Sequence, residues 1–433
     1  MPRVSMRSVP TTLKAEASWQ VKALQLDRYR WRLLREHHAL PGATLRFVRD
    51  ALYDLLFGVR ARLLLPAAAP TAEPCDILLL QGAPKVIALK RKKLLIETLR
   101  NKGYQLVERA QEEPRAVIAQ RLLARPPQAV PLRYFGYAAY AEWLVAKHEP
   151  RLLLNDRNGS LCSPFLRLSL NRRGVPLVHL AHASTVESSR RLGMNDYDYY
   201  FLFGQSSLEA LQARALRFGS SQAVLSGSHM IDAAYDLPPA DPALRCLLIL
   251  GVGPDREKEP GYQKTYALLR DWAADNPQYR VLIKAHPRSQ VPFWQDAAST
   301  LENLHVLPGE CGLAEALEMA SLVVNIMSNA VIEAALARRP VLFVNAGEDR
   351  DIFSQEAYFG PRIRSGGELA SHVAAINENY LQHVRQSQDF AEYHLAHGVH
   401  GLERTCELLE RLMLNKRIEG VRLCGTTEHD SLD

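Results

Sequence analysis

A cluster of basic residues suited to phosphate binding ends one apolar segment of the sequence. Lys284, His286 and Arg288 place two fixed cations and a titratable imidazole within five residues, after the run Tyr279-Arg-Val-Leu-Ile-Lys284. Preorganised donors of this kind stabilise the charge that develops on a diphosphate or phosphodiester leaving group. His286-Pro287 is a pair nearly expected by chance, so its weight comes from its place at the end of a predicted strand. A plain backbone cap by His286 is the alternative.

A predicted helix start supplies a second phosphate-binding element. Ser328 and Asn329 precede Ala330-Val-Ile-Glu-Ala-Ala335, and helix N-termini bind phosphate through free N–H groups and the helix dipole. Glu333, one turn further on, could accept a hydrogen bond from a ribose hydroxyl or simply favour the dipole. Ser328 could also be a helix cap that needs no ligand. Gly251, in the turn after another predicted strand, completes the predicted nucleotide-binding set.

The candidates for the chemistry itself lie in the first half of the chain. Asp156, His182 and Asp232 each follow a predicted strand, and the carboxyl ends of parallel strands line the ligand crevice of an open sheet. Either carboxylate could act as general base, or as nucleophile if the product retains configuration. An aspartate in this position is also a routine helix cap. His179 lies inside its strand and is predicted to be a core residue.

Metal binding is not predicted. The histidines between residues 393 and 400 have no carboxylate or cysteine partner at ligand spacing. The six cysteines lie far apart in the sequence and form no CxxC pair, which indicates a reducing cytoplasm. The net charge of +6 is too small and too dispersed to indicate a nucleic-acid partner. No apolar run is long enough for a membrane span, and no export signal is predicted.

The alternation of apolar runs with helical patterns predicts an α/β fold with two Rossmann-like domains facing a cleft, and 433 residues suit two cores. We predict a helical basic extension at 1–66, a first domain at 75–236, a second domain at 243–415 and a disordered tail at 416–433. The extension mixes aromatic and leucine residues with arginines. Such helices can bind anionic lipid at the inner face of the cell membrane, or pack on the first domain with a solvated basic face.

Several motifs together resemble a known group of enzymes. Lys-x-His-Pro at 284–287 and Ser-Asn-x-x-x-Glu-Ala at 328–334 are similar to motifs of GT-B glycosyltransferases that build bacterial surface polysaccharides. Segments at 155–156, 180–183, 198–204 and 227–232 resemble successive first-domain motifs of that group, so the resemblance covers residues 75 to 400. The His-Pro motif resembles that of families using cytidine nucleotides, and the retaining Kdo (3-deoxy-manno-octulosonic acid) transferases are the most similar.

This resemblance implies transfer of a CMP-activated sugar, Kdo or a related ulosonic acid, to a glycolipid or polysaccharide acceptor of capsule or lipopolysaccharide. It implies that His286, Lys284 and Ser328 hold the CMP phosphate, that Asp232 is the nucleophile and that Asp156 assists the acceptor. No cofactor is implied besides the donor. Ala183 replaces a common glycine, and Met327-Ser-Asn-Ala replaces the Asp-Tyr-Ser-Ser of CDP-glycerol glycerophosphotransferases.

Three alternatives remain open from the sequence. One is a sugar-nucleotide 2-epimerase, which shares the fold and carries His-Pro. Another is an enzyme like the CDP-glycerol glycerophosphotransferases. The third, of a different class, is a non-catalytic assembly factor for polysaccharide synthesis that binds a membrane through its basic N-terminal helices.

Overall fold

A computed structural model describes residues 18–184, 190–214 and 218–425 of the chain. The predicted extension is therefore seen from residue 18 onward, and the last eight residues of the predicted tail lie outside the described part. In the described residues, no helix has the length and apolar character needed to cross a membrane.

The first domain contains a sheet with strand order β12-β6-β5-β4-β3-β1-β2, in which the edge strand β12 (Val421–Cys424) is antiparallel to β6 and the other neighbours are parallel. Strands β1, β3 and β4 are buried along their whole length, which explains their almost unbroken apolar sequences. The parallel strands are β1 (Ile77–Gln81), β2 (Leu106–Ala110), β3 (Leu152–Asn155), β4 (Leu177–Leu180), β5 (Tyr199–Leu202) and β6 (Ser220–Leu225).

The second domain contains a fully parallel sheet with the order β11-β10-β7-β8-β9. This is the strand order of a Rossmann fold, and it reverses between β7 and β10. The prediction of two Rossmann-like domains with a helical N-terminal extension is confirmed. The strands are β7 (Cys246–Leu250), β8 (Arg280–Lys284), β9 (Leu304–Val306), β10 (Leu322–Asn325) and β11 (Val341–Phe343).

Helices cover the sheets and connect the strands. Those of the first half are α1 (Trp19–His37), α2 (Leu40–Leu63), α3 (Pro84–Ala88), α4 (Lys93–Asn101), α5 (Pro114–Ala119), α6 (Leu132–His148), α7 (Ser163–Asn171) and α8 (Gln205–Gln212). Those of the second half are α9 (Pro254–Glu257), α10 (Pro260–Asp275), α11 (Pro292–Ala298), α12 (Leu313–Glu318), α13 (Val331–Leu336), α14 (Gln355–Phe359), α15 (Gly366–Glu378), α16 (Tyr380–His394) and α17 (Gly401–Met413). Several begin with proline, whose fixed φ and missing N–H suit the first helical position.

The end of the chain returns to the first domain. Leu408, Leu409 and Leu412 of α17 join the core cluster that contains Ile77 and Leu79 of β1. The strand β12 (Val421–Cys424) then pairs antiparallel with β6. The prediction of a disordered tail is wrong for Val421–Cys424, because the free edge of β6 offers backbone hydrogen bonds and Leu423 is buried against the core.

The N-terminal helices pack on the first domain. In α1, Trp19, Leu26 and Tyr29 are buried in the domain core. Lys22 of the same helix is also buried, and its ammonium group lies 3.1 Å from the buried carboxylate of Asp196. The second helix, α2, runs along α6 so closely that Gly58 contacts the backbone of Leu132. The extension is thus anchored both by apolar contacts and by a buried ion pair.

We expect Gly58→Ala to lower the free energy of unfolding by about 2–3 kcal/mol, since overpacking a core contact has this effect. A Cβ atom at Gly58 would lie 1.7 Å from the carbonyl oxygen of Leu132, so α2 would have to move away from α6. Gly42→Ala in the same helix is the matched control, because its Cβ would meet nothing closer than 3.8 Å. Urea unfolding followed by circular dichroism measures both. Equal changes in the two variants would contradict the close packing of α2 on α6.

Candidate functional site

The switch point of the second sheet defines a crevice at the carboxyl ends of β7 and β10. In open α/β sheets, ligands bind where the strand order reverses. The turn Gly251-Val-Gly-Pro254 follows β7, and residues 326–330 follow β10. The loop after β8, which carries His286 and Arg288, borders the β7 turn from the other side. The structure therefore brings the predicted nucleotide-binding residues to one edge of one sheet.

Gly251 is the contact point between the β7 turn and the end of β8. Its N–H donates to the carbonyl oxygen of Lys284 at 2.9 Å. A Cβ atom at Gly251 would lie 2.8 Å from both the Lys284 oxygen and the His286 nitrogen. Only glycine fits between these backbone groups without displacement. Gly251 thus positions the backbone of His286. This close backbone contact explains why a glycine is needed at position 251, which the prediction of a turn alone did not explain.

The imidazole of His286 is held by the backbone through one ring nitrogen. Its Nδ1 accepts a hydrogen bond from the backbone N–H of Arg288 at 3.2 Å. In the neutral ring the proton must then lie on Nε2, which becomes the donor. Partial burial, Arg288 and Arg91 lower the pKa of His286 from its ordinary value. The predicted cap role and the predicted pocket role are therefore compatible, because they use different nitrogens.

Two fixed cations flank this histidine. The side chains of Lys284 and Arg288 form no ion pair within residues 18–184, 190–214 and 218–425. The Arg288 guanidinium lies 3.4 Å from the Cβ position of Gly253, so it covers the second glycine of the β7 turn. Positive charge with no internal counter-ion at a strand end favours an anionic ligand.

The Ser328 segment differs from its prediction. Helix α13 begins at Val331 and has six residues, so Ser328 lies in the turn before the helix rather than at its cap. Its backbone N–H donates to the side chain of Asn325 at 3.0 Å, and its hydroxyl accepts from the Ala330 N–H at 3.4 Å. Asn329 is exposed on the same turn. The turn still reaches the switch point, but a local hydrogen bond already engages the serine hydroxyl.

A buried amide pair that the sequence did not reveal holds this turn. The Asn325 side chain donates to the Gln355 side-chain oxygen at 2.7 Å. Gln355 in turn donates to the carbonyl oxygen of Ile326 at 3.2 Å. Both amides are fully buried, and buried polar groups with satisfied bonds fix a unique local arrangement. No local pattern marks Gln355, which begins α14 some thirty residues later in the chain.

Glu333 lies where the two domains meet. Burial raises the pKa of its carboxyl group to about 7. The pKa of Tyr235 is raised by burial and then by the nearby charges of Glu333 and Asp232. The structure therefore groups Glu333 of the second domain with Asp232 and Tyr235 at the end of the first. Asp232 caps a short turn, because one of its oxygens accepts from the Ala234 N–H at 3.0 Å.

The residues just after helix α13, which carries Glu333, hold the linker between the domains. Arg338 donates to the carbonyl oxygen of Leu237 and, at 2.9 Å, to the carboxylate of Asp236. Arg339 donates at 2.7 Å to the carbonyl oxygen of Pro238. Arg338 and Arg339 are thus occupied with contacts to the backbone and to the linker.

Asp156 forms a buried ion pair just after the carboxyl end of β3, a central strand of the first sheet. Its Oδ2 lies 2.5 Å from the ammonium of Lys92, and both side chains are almost inaccessible to solvent. Its Oδ1 is buried without a hydrogen-bond partner among the described residues. An unpaired buried oxygen is unusual and marks a place where a ligand donor can bind. Lys92 was missed from the sequence, where it reads as one of several lysines in a basic segment.

Three histidines lie close to this ion pair. His182 is exposed after β4, whereas His179 is buried in β4 and stacks on Tyr197 at 4.3 Å, as predicted for a core residue. Burial, Lys92 and His182 lower the pKa of His229 to about 3. The Nε2 atom of His229 is buried without a partner in the described part of the chain. His229 is therefore a site candidate that sequence reasoning missed.

One loop of the first domain reaches both walls of the cleft. Arg91 lowers the pKa of His286 in the second domain, while its neighbour Lys92 pairs with Asp156 in the first. Lys90 begins this loop with a positive φ of 50°. The donor-side and acceptor-side candidates are therefore joined through adjacent residues.

Among the described residues, no group of histidine, cysteine and carboxylate side chains has the arrangement of a metal site.

Comparison with known proteins identifies the fold. No protein-family model and no curated protein sequence matches the chain. The structure is similar to that of a UDP-GlcNAc 2-epimerase from Neisseria meningitidis bound to UDP-GlcNAc, with a TM-score of 0.50 and 13% identity over 78% of this chain and 100% of that chain. MurG from Acinetobacter baumannii gives a TM-score of 0.47 with 13% identity over 78% of this chain and 99% of that chain. The glycotransferase of kitacinnamycin gives a TM-score of 0.48 with 13% sequence identity over 79% of this chain and 100% of that chain. At this identity the likeness to the epimerase shows the fold, two Rossmann-like domains of the GT-B type.

The raised pKa of Glu333 makes stability depend on pH. The folded state binds this proton more tightly than the unfolded chain, so the group's contribution to stability is greatest at low pH and declines as pH rises toward and through about 7. We expect Glu333→Gln to raise the free energy of unfolding by about 1–3 kcal/mol at pH 8, with little change at pH 5. Urea unfolding at the two pH values measures this. Exposed Glu378→Gln is the control, and a Glu333→Gln effect equal at both pH values would contradict the assignment.

Proposed function

We propose that this protein is a glycosyltransferase that uses a nucleotide sugar as donor. The observation that carries the proposal is the basic segment at the switch point, where Lys284, His286 and Arg288 follow β8 beside the glycine turn and neither Lys284 nor Arg288 forms an ion pair with any described residue. A nucleotide phosphate bound there would meet two fixed charges and the Nε2–H of His286. These donors would stabilise the phosphate as it becomes the leaving group.

The donor we propose is a CMP-activated sugar, Kdo or a related ulosonic acid. The resemblance of the Lys-x-His-Pro and Ser-Asn motifs to those of cytidine-nucleotide families supports it. In a CMP-sugar the phosphate next to the sugar is itself the leaving group, so fixed cations can neutralise it. We therefore expect no divalent metal to be required.

The proposed transfer breaks the bond between the anomeric carbon and the CMP phosphate oxygen, and the electron pair leaves on the phosphate. If configuration is retained, the carboxylate of Asp232 first attacks the anomeric carbon, and the acceptor hydroxyl then displaces it. Asp156 takes the acceptor proton, and its unpartnered Oδ1 supports this role. His182, exposed at the same edge of the sheet, contributes to the acceptor side.

The acceptor we propose is a glycolipid or polysaccharide of the cell surface, built at the cytoplasmic face of the membrane. One observation favours a second candidate. The structure with a TM-score of 0.50 is a nucleotide-sugar epimerase with bound UDP-GlcNAc, so an epimerase acting on a nucleotide sugar without any acceptor is the alternative to be tested.

Calorimetric titration tests the donor site. We expect CMP to bind, and His286→Ala to raise its Kd by about 10- to 100-fold, the effect of losing a hydrogen bond to a charged group. His305→Ala, an exposed histidine of β9, is the matched control and should bind CMP like the wild type. Tight binding of UDP together with no binding of CMP would overturn the CMP assignment.

Turnover assays separate the candidate functions. With a CMP-sugar and a glycan acceptor, we expect Asp156→Asn and Asp232→Asn to lower kcat by about 100-fold or more while CMP affinity changes little, because general base and nucleophile act on the reacting groups. Isomerisation of UDP-GlcNAc by the protein without acceptor would instead establish the epimerase. If neither variant changes polysaccharide output in cells, the protein is a non-catalytic assembly factor.

A further inference from the structure

The outer side of α2 is apolar although it faces away from the protein. Ala43, Phe57 and Ala61 cover the inner side, which packs on the first domain. On the opposite side, large apolar side chains are exposed, from Leu45 at 73% to Leu63 at 78%. At 100° per residue they form one stripe of about 100° around the helix. We name this surface the outer α2 face, formed by Leu45, Val48, Leu52, Leu55, Leu56 and Leu63.

Arginines border this stripe. Arg46, Arg49, Arg60 and Arg62 are exposed along α2. The acidic residues of the helix lie on its inner side and are already paired. Asp54 is buried against Arg30 and Arg133, and Asp50 lies 2.8 Å from Arg49. Arg49 is neutralised by Asp50, so Arg46, Arg60 and Arg62 give the rim of the outer α2 face its positive charge, and the apolar stripe itself contains no charged residue.

We propose that the outer α2 face binds the surface of a membrane that contains anionic lipids. A helix apolar on both sides needs a second apolar surface to cover it. Self-association through a two-fold axis would place the same arginine rim of two copies together, and like charges oppose that pairing. A bilayer surface supplies an apolar layer beneath a negative one, which matches both parts of this face.

The packing of α2 fixes how the protein meets the bilayer. Because α2 lies along α6 and buries its inner side there, it lies flat on the membrane rather than crossing it. Phe57 on the inner side lines a cavity of about 150 Å³ together with Arg157 and Ser160. Arg157 and Ser160 belong to the loop that follows β3 and begins with Asp156. The membrane-binding helix therefore borders the loop proposed to serve the acceptor, a link that rests on the proposed function, whereas the surface itself does not.

Vesicle sedimentation with the full-length protein tests the surface. We expect the protein to pellet with vesicles of phosphatidylcholine mixed with phosphatidylglycerol, and less with phosphatidylcholine alone. Leu52→Glu combined with Leu56→Glu should lower the partition coefficient by about tenfold or more, since it puts carboxylates into the apolar stripe. Leu381→Glu, an equally exposed leucine on α16, is the matched control and should pellet like the wild type.

A charge variant tests the rim independently. Arg46→Gln with Arg60→Gln should weaken binding by about fivefold per arginine on the anionic vesicles only. Arg385→Gln, on α16, is its control. Thermal melting of each variant verifies folding, and the arginine variant keeps the apolar stripe, so the test does not depend on the leucine variant alone.

The outcomes decide between occupants of this face. Sedimentation lost in the leucine variant and weakened in the arginine variant supports the proposal. No sedimentation of the wild type, or equal sedimentation of wild type and leucine variant, overturns it. A wild-type dimer that the leucine variant dissociates, with no vesicle binding, assigns the face to a second copy instead. CMP titration of the wild type and the leucine variant is run in parallel. If the wild type binds vesicles but not CMP, the proposed function fails while the proposed membrane surface stands.

Discussion

The contact of Gly251 with the end of β8 is the constraint on which the proposed donor site depends. Leu250 and Lys284 are register partners in neighbouring parallel strands, so the segments that follow them compete for one space. The missing side chain at Gly251 lets the two backbones touch, and this contact sets the direction of His286. Arg288 lies close enough to the His286 ring to lower its pKa. Positive charge at this strand end favours an anionic ligand.

The same electrostatic logic extends across the cleft. Arg91 brings further positive charge toward His286 from the first domain, while Lys92 beside it is neutralised by Asp156. An anion between the domains would therefore be attracted by both walls at once. The buried ion pair of Lys92 and Asp156 neutralises the charge beside β3, so the basic residue Arg91 and a neutralised pair lie next to each other on one short loop.

Much of the fold follows from the sequence because buried parallel strands are nearly unbroken apolar runs. The candidate site was predicted because polar residues and glycines follow the ends of those runs, as His286 and Gly251 do. The rest depends on contacts between distant segments. Asp156 and Lys92 are 64 residues apart, and Asn325 meets Gln355 across 30 residues, so no local pattern reveals either pair. The strand at Val421–Cys424 is short and half exposed, and only the free edge of β6 makes it a strand.

The two arginines that follow α13 restrict how the domains can move relative to each other. Arg338 and Arg339 tie residues 236–238 of the linker to the helix that carries Glu333. A rotation of one domain relative to the other therefore has three possibilities. The hinge lies outside residues 236–238, or α13 moves together with these residues, or the hydrogen bonds of Arg338 and Arg339 break. If α13 moves with the linker instead, any change in the angle between the domains also changes the position of Glu333.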